Sequence, residues 1–264
     1  MTRRLTALAP LFVLSLTIVA AGCSESSPTA PSSTGDTPMV AGPTAGGTPP
    51  AQPSPIPTPA PTPAPAPAPP ATARYRFTFD ALWSAATHPQ DFPPNPHFSP
   101  LVGATHIAAT RFWQEGATAT DGIRDMAERG LTTRLADEVR AAIAAGTAQQ
   151  VLLGGDIPRS PGTVSLEFDV SQTFPVVTLV SMVAPSPDWF TGVSGLALFE
   201  NGQWVERRVL ELGPWDAGTD SGTTFQSPDE ATTPRRAVAR IAGFPFVLNG
   251  QVLPVARFTF ERMP

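Results

Sequence analysis

The chain has 264 residues and a formal charge of −5, with 33 Pro, 21 Gly and one Cys. All 17 basic residues are Arg, and 15 of them face 20 Asp and Glu in residues 74–264. A nucleic-acid binder shows a basic patch or stripe, which is absent here; the lack of Lys argues against docking on anionic lipid, and a single Cys excludes a disulfide framework.

The N-terminus opens with Arg3 and Arg4 and continues through the apolar run LFVLSLTIVA at 11–20. This is an export-signal pattern, outside the fold. It closes on Ala20-Ala21-Gly22-Cys23. Small residues before a Cys resemble a bacterial lipoprotein signal, in which the Cys becomes the lipidated N-terminus. Ala20 departs from that pattern, where Leu is usual. The rival reading is a short uncleaved membrane anchor. On either reading the domain is exported and tied to a membrane. Lipidation at Cys23 implies a bacterial cell envelope, at the outer membrane or cell surface.

Residues 24–73 hold 16 of the 33 Pro, two charges (Glu25 and Asp36) and no aromatic residue. Such a segment buries too little apolar surface to offset chain entropy and reads as a tether. Extended at ~3.1 Å per residue, it reaches on the order of 150 Å.

Residues 74–264 contain all five Trp and enough chain for one core. RYRFTFD (74–80) alternates as a strand does. A turn-rich stretch follows over 81–103, then a strand over 105–113. Thr120 caps a helix over 121–129, which Gly130 ends. A second helix starts at Thr132 or Thr133, covers 134–145 and stops at Gly146. The rest reads β: 163–170, 174–183, 193–200, 204–212, 237–244 and 254–262. Asn201-Gly202 and Asn249-Gly250 are hairpin signals. The expected fold is mainly β, an antiparallel sandwich with a small helical insertion.

Three aspartates fall in Gly- and Pro-rich loops: Asp188 in PSPDW, and Asp216 and Asp220 in PWDAGTDSG. Converging carboxylates repel one another unless a cation neutralises them. Oxygen donors on loops suit Ca²⁺ rather than a transition metal. The alternative is that each Asp caps its own turn. Asp229 and Glu230 are peripheral candidates that more simply decorate a loop. His88, His97 and His106 raise the possibility of zinc, although an even spacing through a Pro-rich loop is no known zinc pattern. Asp220-Ser221-Gly222 matches the triplet of aspartic proteases, but the second triplet they need is missing. Gly192-Val193-Ser194-Gly195 fails the nucleophile-elbow pattern.

The run His88-Pro89, Phe92-Pro93, His97-Phe98-Ser99-Pro100, Gly103 and His106 resembles the opening of the spondin N-terminal domain, found in F-spondin and mindin. So do Phe112-Trp113-x-x-Gly116 and Ala127-Glu128-x-Gly130, and most specifically SMVAPSPDWFTGVSGL (181–196) and PWDAGTDSGTTFQSP (214–228). The resemblance spans roughly 74–242. It implies a β-sandwich similar to C2 domains and one Ca²⁺ bound by three Asp, matching Asp188, Asp216 and Asp220. It also implies a binding module of the extracellular matrix, not an enzyme. The chain departs from animal members in lacking their thrombospondin-type repeats and cysteines, so their partners do not carry over.

The expectation is therefore a calcium-binding adhesion or interaction module, tethered outside the cytoplasm, with an unidentified protein or glycan partner and no nucleic acid. A calcium-dependent phospholipid-binding domain is the alternative, and a metal-dependent hydrolase built on the histidines a more distant one. Trp189 and Trp215, beside the aspartates, are either exposed binding anchors or buried pins for the loops.

Overall fold

A computed structural model describes residues 68–264. The expected signal segment, with Cys23, and the tether up to residue 67 lie outside the described residues. In chain order the elements are β1 (Thr72–Ala81), β2 (His97–Phe98), β3 (Val102–His106), α1 (Asp121–Arg129), α2 (Thr133–Ala144), β4 (Ala148–Leu153), β5 (Thr163–Ser171), β6 (Val176–Ala184) and β7 (Trp189–Ala197). Then come β8 (Phe199–Glu200), β9 (Gln203–Trp204), β10 (Arg207–Leu212), β11 (Trp215–Asp216), β12 (Ala239–Arg240), β13 (Val247–Leu248), β14 (Gln251–Val252) and β15 (Ala256–Arg262).

The alternation read in the sequence of β1 turns Tyr75, Phe77 and Phe79 inward. Its neighbours are β15 and β5, and β10 completes a four-stranded sheet in the order β10-β15-β1-β5. Phe77 stands opposite Phe260, and Phe79 opposite Phe258. Phe77 and Phe258 meet edge-to-face at 4.8 Å within this layer, and Phe79 meets Phe98 at 4.9 Å toward the second sheet. Aromatic pairs of this geometry add to the area they bury. The last residues before β1 pack as well: Pro70 accepts a hydrogen bond from the Trp204 indole at 2.8 Å.

The larger sheet runs β12-β11-β7-β6-β3-β4, with β2 also on β6. Every strand pair in the two sheets is antiparallel. Leu179, Val183 and Val193 point into the core shared with Phe77, Phe258 and Phe260. On the other face, Val102, Val180 and Phe190 pack against Ile123 and Met126 of α1 and Leu135 and Val139 of α2. Covered on both faces, β6 is buried at every residue. That explains the continuous apolar run at 174–183, since one-sided strands alternate and two-sided ones do not. The fold is the expected antiparallel sandwich, and the helical insertion forms a third layer.

Both helices keep their sequence signals in part. Thr120 Oγ1 accepts from the Ile123 N–H at 3.1 Å, and Gly130 closes α1 with φ 66°. Thr132 makes no side-chain cap on α2. Asn201-Gly202 and Asn249-Gly250 both take positive φ, as two-residue hairpin turns require.

Other boundaries differ. The strand expected over 105–113 stops at His106, where the pairing with β4 shifts register and the chain turns back. The Thr110 N–H donates to Ile107 there. Of 237–244 only Ala239–Arg240 forms a strand, beside the two-residue β11, while Ala237 makes a single bridge to Thr118. The expected 204–212 strand divides. β9 closes a separate two-stranded hairpin with β8, and β10 joins the smaller sheet beside β15.

His106 and His88 are structural. The His106 Nδ1–H donates to Ile107 O at 2.9 Å, and Nε2 sits 2.8 Å from Thr178 Oγ1. His88 Nε2 lies 3.3 Å from Leu253 O, and its ring meets Phe246 edge-on at 6.0 Å. Burial lowers the pKa of both rings. The unfolded chain therefore takes up protons near the free-histidine value of about 6.5 that the folded one refuses. The histidine contribution is complete above that pH and is lost as the pH falls below it. The thermal midpoint measured from pH 7 to pH 5 should fall more steeply for the wild type than for His88→Gln. Parallel profiles would remove the histidine contribution.

Candidate metal centre

Asp188 ends the loop between β6 and β7 and is fully buried. The turn before it is fixed by Ser186, whose Oγ accepts from the Trp189 N–H at 3.1 Å. Asp188 Oδ2 accepts from the backbone N–H groups of Thr219 at 2.7 Å and Asp220 at 3.0 Å, and from Thr219 Oγ1 at 3.3 Å. Its own carbonyl accepts from the Ala217 N–H at 3.1 Å. One residue thus ties the β6–β7 loop to the loop after β11.

Asp216 lies in β11, directly opposite Trp189 of β7. Its Oδ1 accepts from the Gly218 N–H at 2.7 Å. Asp220 repeats that turn two residues further: Oδ1 accepts from the Gly222 N–H, and Oδ2 from the Glu230 N–H, both at 2.7 Å. The turn-capping reading of these aspartates is therefore correct for Asp216 and Asp220. Asp229 and Glu230 are exposed, and Glu230 serves this loop through its backbone.

The loop is pinned from behind. The Gly218 carbonyl accepts from the Arg236 N–H at 2.8 Å and that of Thr219 from the Thr232 N–H at 2.9 Å. Gly218 has φ +74°, and a Cβ there would collide with the backbone carbonyls of Arg236 and Ala237. That passage needs glycine.

Hydrogen bonding leaves oxygens over. Asp188 Oδ1 is buried with no partner. Asp216 Oδ2 has only the Arg236 guanidinium, at 4.0 Å. Burial, and then the charge of Asp216, push the Asp188 carboxyl up to about 6. Burial raises Asp216 too, with Asp220 acting in the same direction and the Gly218 N–H and Arg236 against it. A buried anionic oxygen with no donor is costly, and a cation is what would relieve it.

The donor set is carboxylate oxygen, the chemistry of a hard cation such as Ca²⁺. Among the described residues, no three His, Cys, Asp or Glu side chains stand close enough to form a metal cage by themselves. Backbone carbonyls and water commonly complete calcium sites. The histidines supply no alternative centre: His88 and His106 are engaged as described above, and His97 Nδ1 sits 2.8 Å from Asn95 O.

The two tryptophans beside the aspartates have different surroundings. Trp189 is a core residue, edge-on to Phe225 at 5.1 Å and Phe246 at 5.2 Å. As a binding anchor it is ruled out, because packing against these two rings leaves only 3 % of it exposed. Trp215 is also mostly buried, edge-on to Trp113 at 5.0 Å, with the Arg240 guanidinium 4.3 Å over its ring. It lines an open groove that sequence reasoning missed, since the groove is made by strand edges distant in the chain.

An antiparallel sandwich with helices over one sheet, and two aspartate-bearing loops tied together at Asp188, defines a β-sandwich domain. The spondin N-terminal domain model, Spondin_N, matches residues 73–245, and the chain belongs to that family. Spondin-2 of Rattus norvegicus is 36% identical over 204 residues, covering 72% of this chain and 62% of the relative. Spondin-2 of Homo sapiens is 35% identical over 206 residues, covering 73% and 62%. Spondin-1 of Mus musculus is 34% identical over 209 residues, covering 73% of this chain and 25% of the relative. The chain thus spans less than two thirds of the length of these relatives. Among the described residues, no helix is long and apolar enough to cross a membrane.

Asp188→Asn keeps an oxygen for the Thr219 and Asp220 N–H groups and removes the buried charge. In EDTA at pH 7 its thermal midpoint should equal or exceed that of the wild type. A drop of several degrees would mean that the carboxylate is stabilised by its surroundings without a cation.

Proposed function

We propose that this domain is a calcium-stabilised interaction module displayed outside the cytoplasm. On this reading Asp188, Asp216 and Asp220 hold one Ca²⁺, and the Pro-rich tether carries the domain away from a lipid anchor at Cys23. The observation that carries the calcium assignment is the partnerless Asp188 Oδ1, buried beside a second carboxylate whose pKa is also raised. The ion would supply the positive charge these oxygens lack and would lock the β6–β7 loop onto the loop after β11. The residues themselves already orient the loops, through the N–H groups of Thr219, Asp220, Gly218 and Gly222.

Membership of the spondin family supports a role in binding other extracellular molecules rather than in catalysis. Phospholipid bridging draws less support, because Asp188 is fully buried and the cation-bearing loops present no Lys. A zinc hydrolase has no support from the separately engaged histidines.

Thermal unfolding of the full chain in EDTA and in millimolar CaCl₂ tests the reading. A hundredfold excess of calcium over Kd adds roughly 2.7 kcal/mol to the folded state, a rise of roughly 5 °C or more at this size. The rise should vanish in Asp216→Asn/Asp220→Asn. An equal midpoint with and without calcium, in protein stripped of metal, would refute it.

A further inference from the structure

The sandwich is open along one side. Among the described residues β10 has β15 as its one neighbour. β7 is paired with β6 from Phe190 to Ala197, with a register shift opposite Thr178 where Gly195 takes a positive φ, but on its other side β11 reaches only Trp189 and Phe190. From Thr191 to Ala197 that outer edge of β7 has no strand beside it among the described residues. Such an edge is normally blunted or covered, because unpaired backbone invites another chain. Here the two free edges face a common groove of about 690 Å³, which runs between residues 192–197 and 210–213.

The groove is built to receive a strand. Leu210 and Leu212, two residues apart on β10, and Leu196 on β7 are half-buried against the core and form an apolar floor. Alternate side chains of an added strand would meet such a floor. A second pocket of about 320 Å³ shares Glu211, Gly213 and Arg240 with the first and continues it toward Ile241 and Val252. Thr191, Gly192 and Val193 are buried, so the accessible stretch of β7 is Ser194–Ala197, about 10 Å long.

Its charge is specific too. Glu115 pairs with Arg240 at 3.4 Å, and Glu211 with Arg257 at 2.7 Å. Arg111 is exposed and has no carboxylate partner among the described residues. Its guanidinium donates to the carbonyls of Ala108 and Thr110 and stands over Gly195, 3.4 Å from where a Cβ would be. A sugar would need an exposed ring face, and here Trp113 is only 6 % exposed and Trp215 lies under Arg240.

We propose that this groove takes up an extended polypeptide segment of a partner protein, added as a strand along β7, with an acidic side chain against Arg111. Backbone pairing supplies affinity, and the apolar floor and Arg111 supply selectivity. The inference deepens the reading of the chain as an interaction module. It does not need the calcium ion, so the two fail separately.

The test selects a phage-displayed random-peptide library on the full chain in CaCl₂. The enriched peptides are then synthesised and located by amide hydrogen exchange. Alternating sequences with Asp or Glu at a fixed position should emerge, and should protect amides in 194–197 and 207–213. Arg111→Glu should weaken their binding roughly fivefold, whereas Arg159→Glu, at another exposed arginine, should not. No enrichment, protection elsewhere, or equal loss in the two variants would overturn the proposal. So would protection of β7 without peptide that grows with protein concentration, which would make a second copy the occupant. The calcium-dependent midpoint recorded on the same samples shows whether the metal reading stands when the groove reading fails.

Discussion

One buried carboxylate organises the functional end of this molecule. Asp188 accepts three hydrogen bonds on one oxygen, all from Thr219 and Asp220, and none on the other. The first oxygen makes two loops into one structure. The second is buried with no partner, and an ionised oxygen so placed is unfavourable by several kcal/mol. Asp216 nearby raises the demand. Everything else at this end follows the same constraint: two turns capped by Asp, and a glycine at Gly218 that lets the backbone pass close to Arg236.

The rest of the fold holds that end still. β6 is sealed on both faces, by the phenylalanine layer of the smaller sheet and by the two helices. β7 begins at Trp189, immediately after Asp188, and Trp189 is locked among Phe225 and Phe246. The carboxylate therefore sits directly before a residue packed into the core. The same strand, further along, provides the open edge of the groove. The aspartate loops and the groove are joined through β7 and through β11, where Trp215 lines the groove and Asp216 caps the loop that follows.

Much of this was legible in the sequence. The alternation of RYRFTFD gave β1, the caps around 120–130 gave α1, and Asn-Gly pairs marked two hairpins. Charge and loop position singled out Asp188, Asp216 and Asp220, and the family motifs pointed to the same three. Other features depend on contacts that chain order hides. The strand ending at His106 stops because its ring bonds the next residue and Thr178 across the sheet. The division of 204–212 reflects a segment split between a separate hairpin and the smaller sheet, which no local pattern encodes. β4 carries a mixed burial pattern, so its period was faint. The groove was invisible because absence of a neighbour is a property of the assembled sheet, not of any segment.

The central claim is that these three aspartates hold a hard cation, and terbium luminescence tests it most directly. Trp189 and Trp215 adjoin Asp188 and Asp216 in the chain and are placed to sensitise a lanthanide bound there. Excitation of tryptophan in the full chain with Tb³⁺ should give terbium emission that Ca²⁺ displaces, and that Asp216→Asn/Asp220→Asn abolishes. No sensitised emission, or emission unchanged in the double variant, would contradict the account and leave the aspartates as turn-forming residues alone.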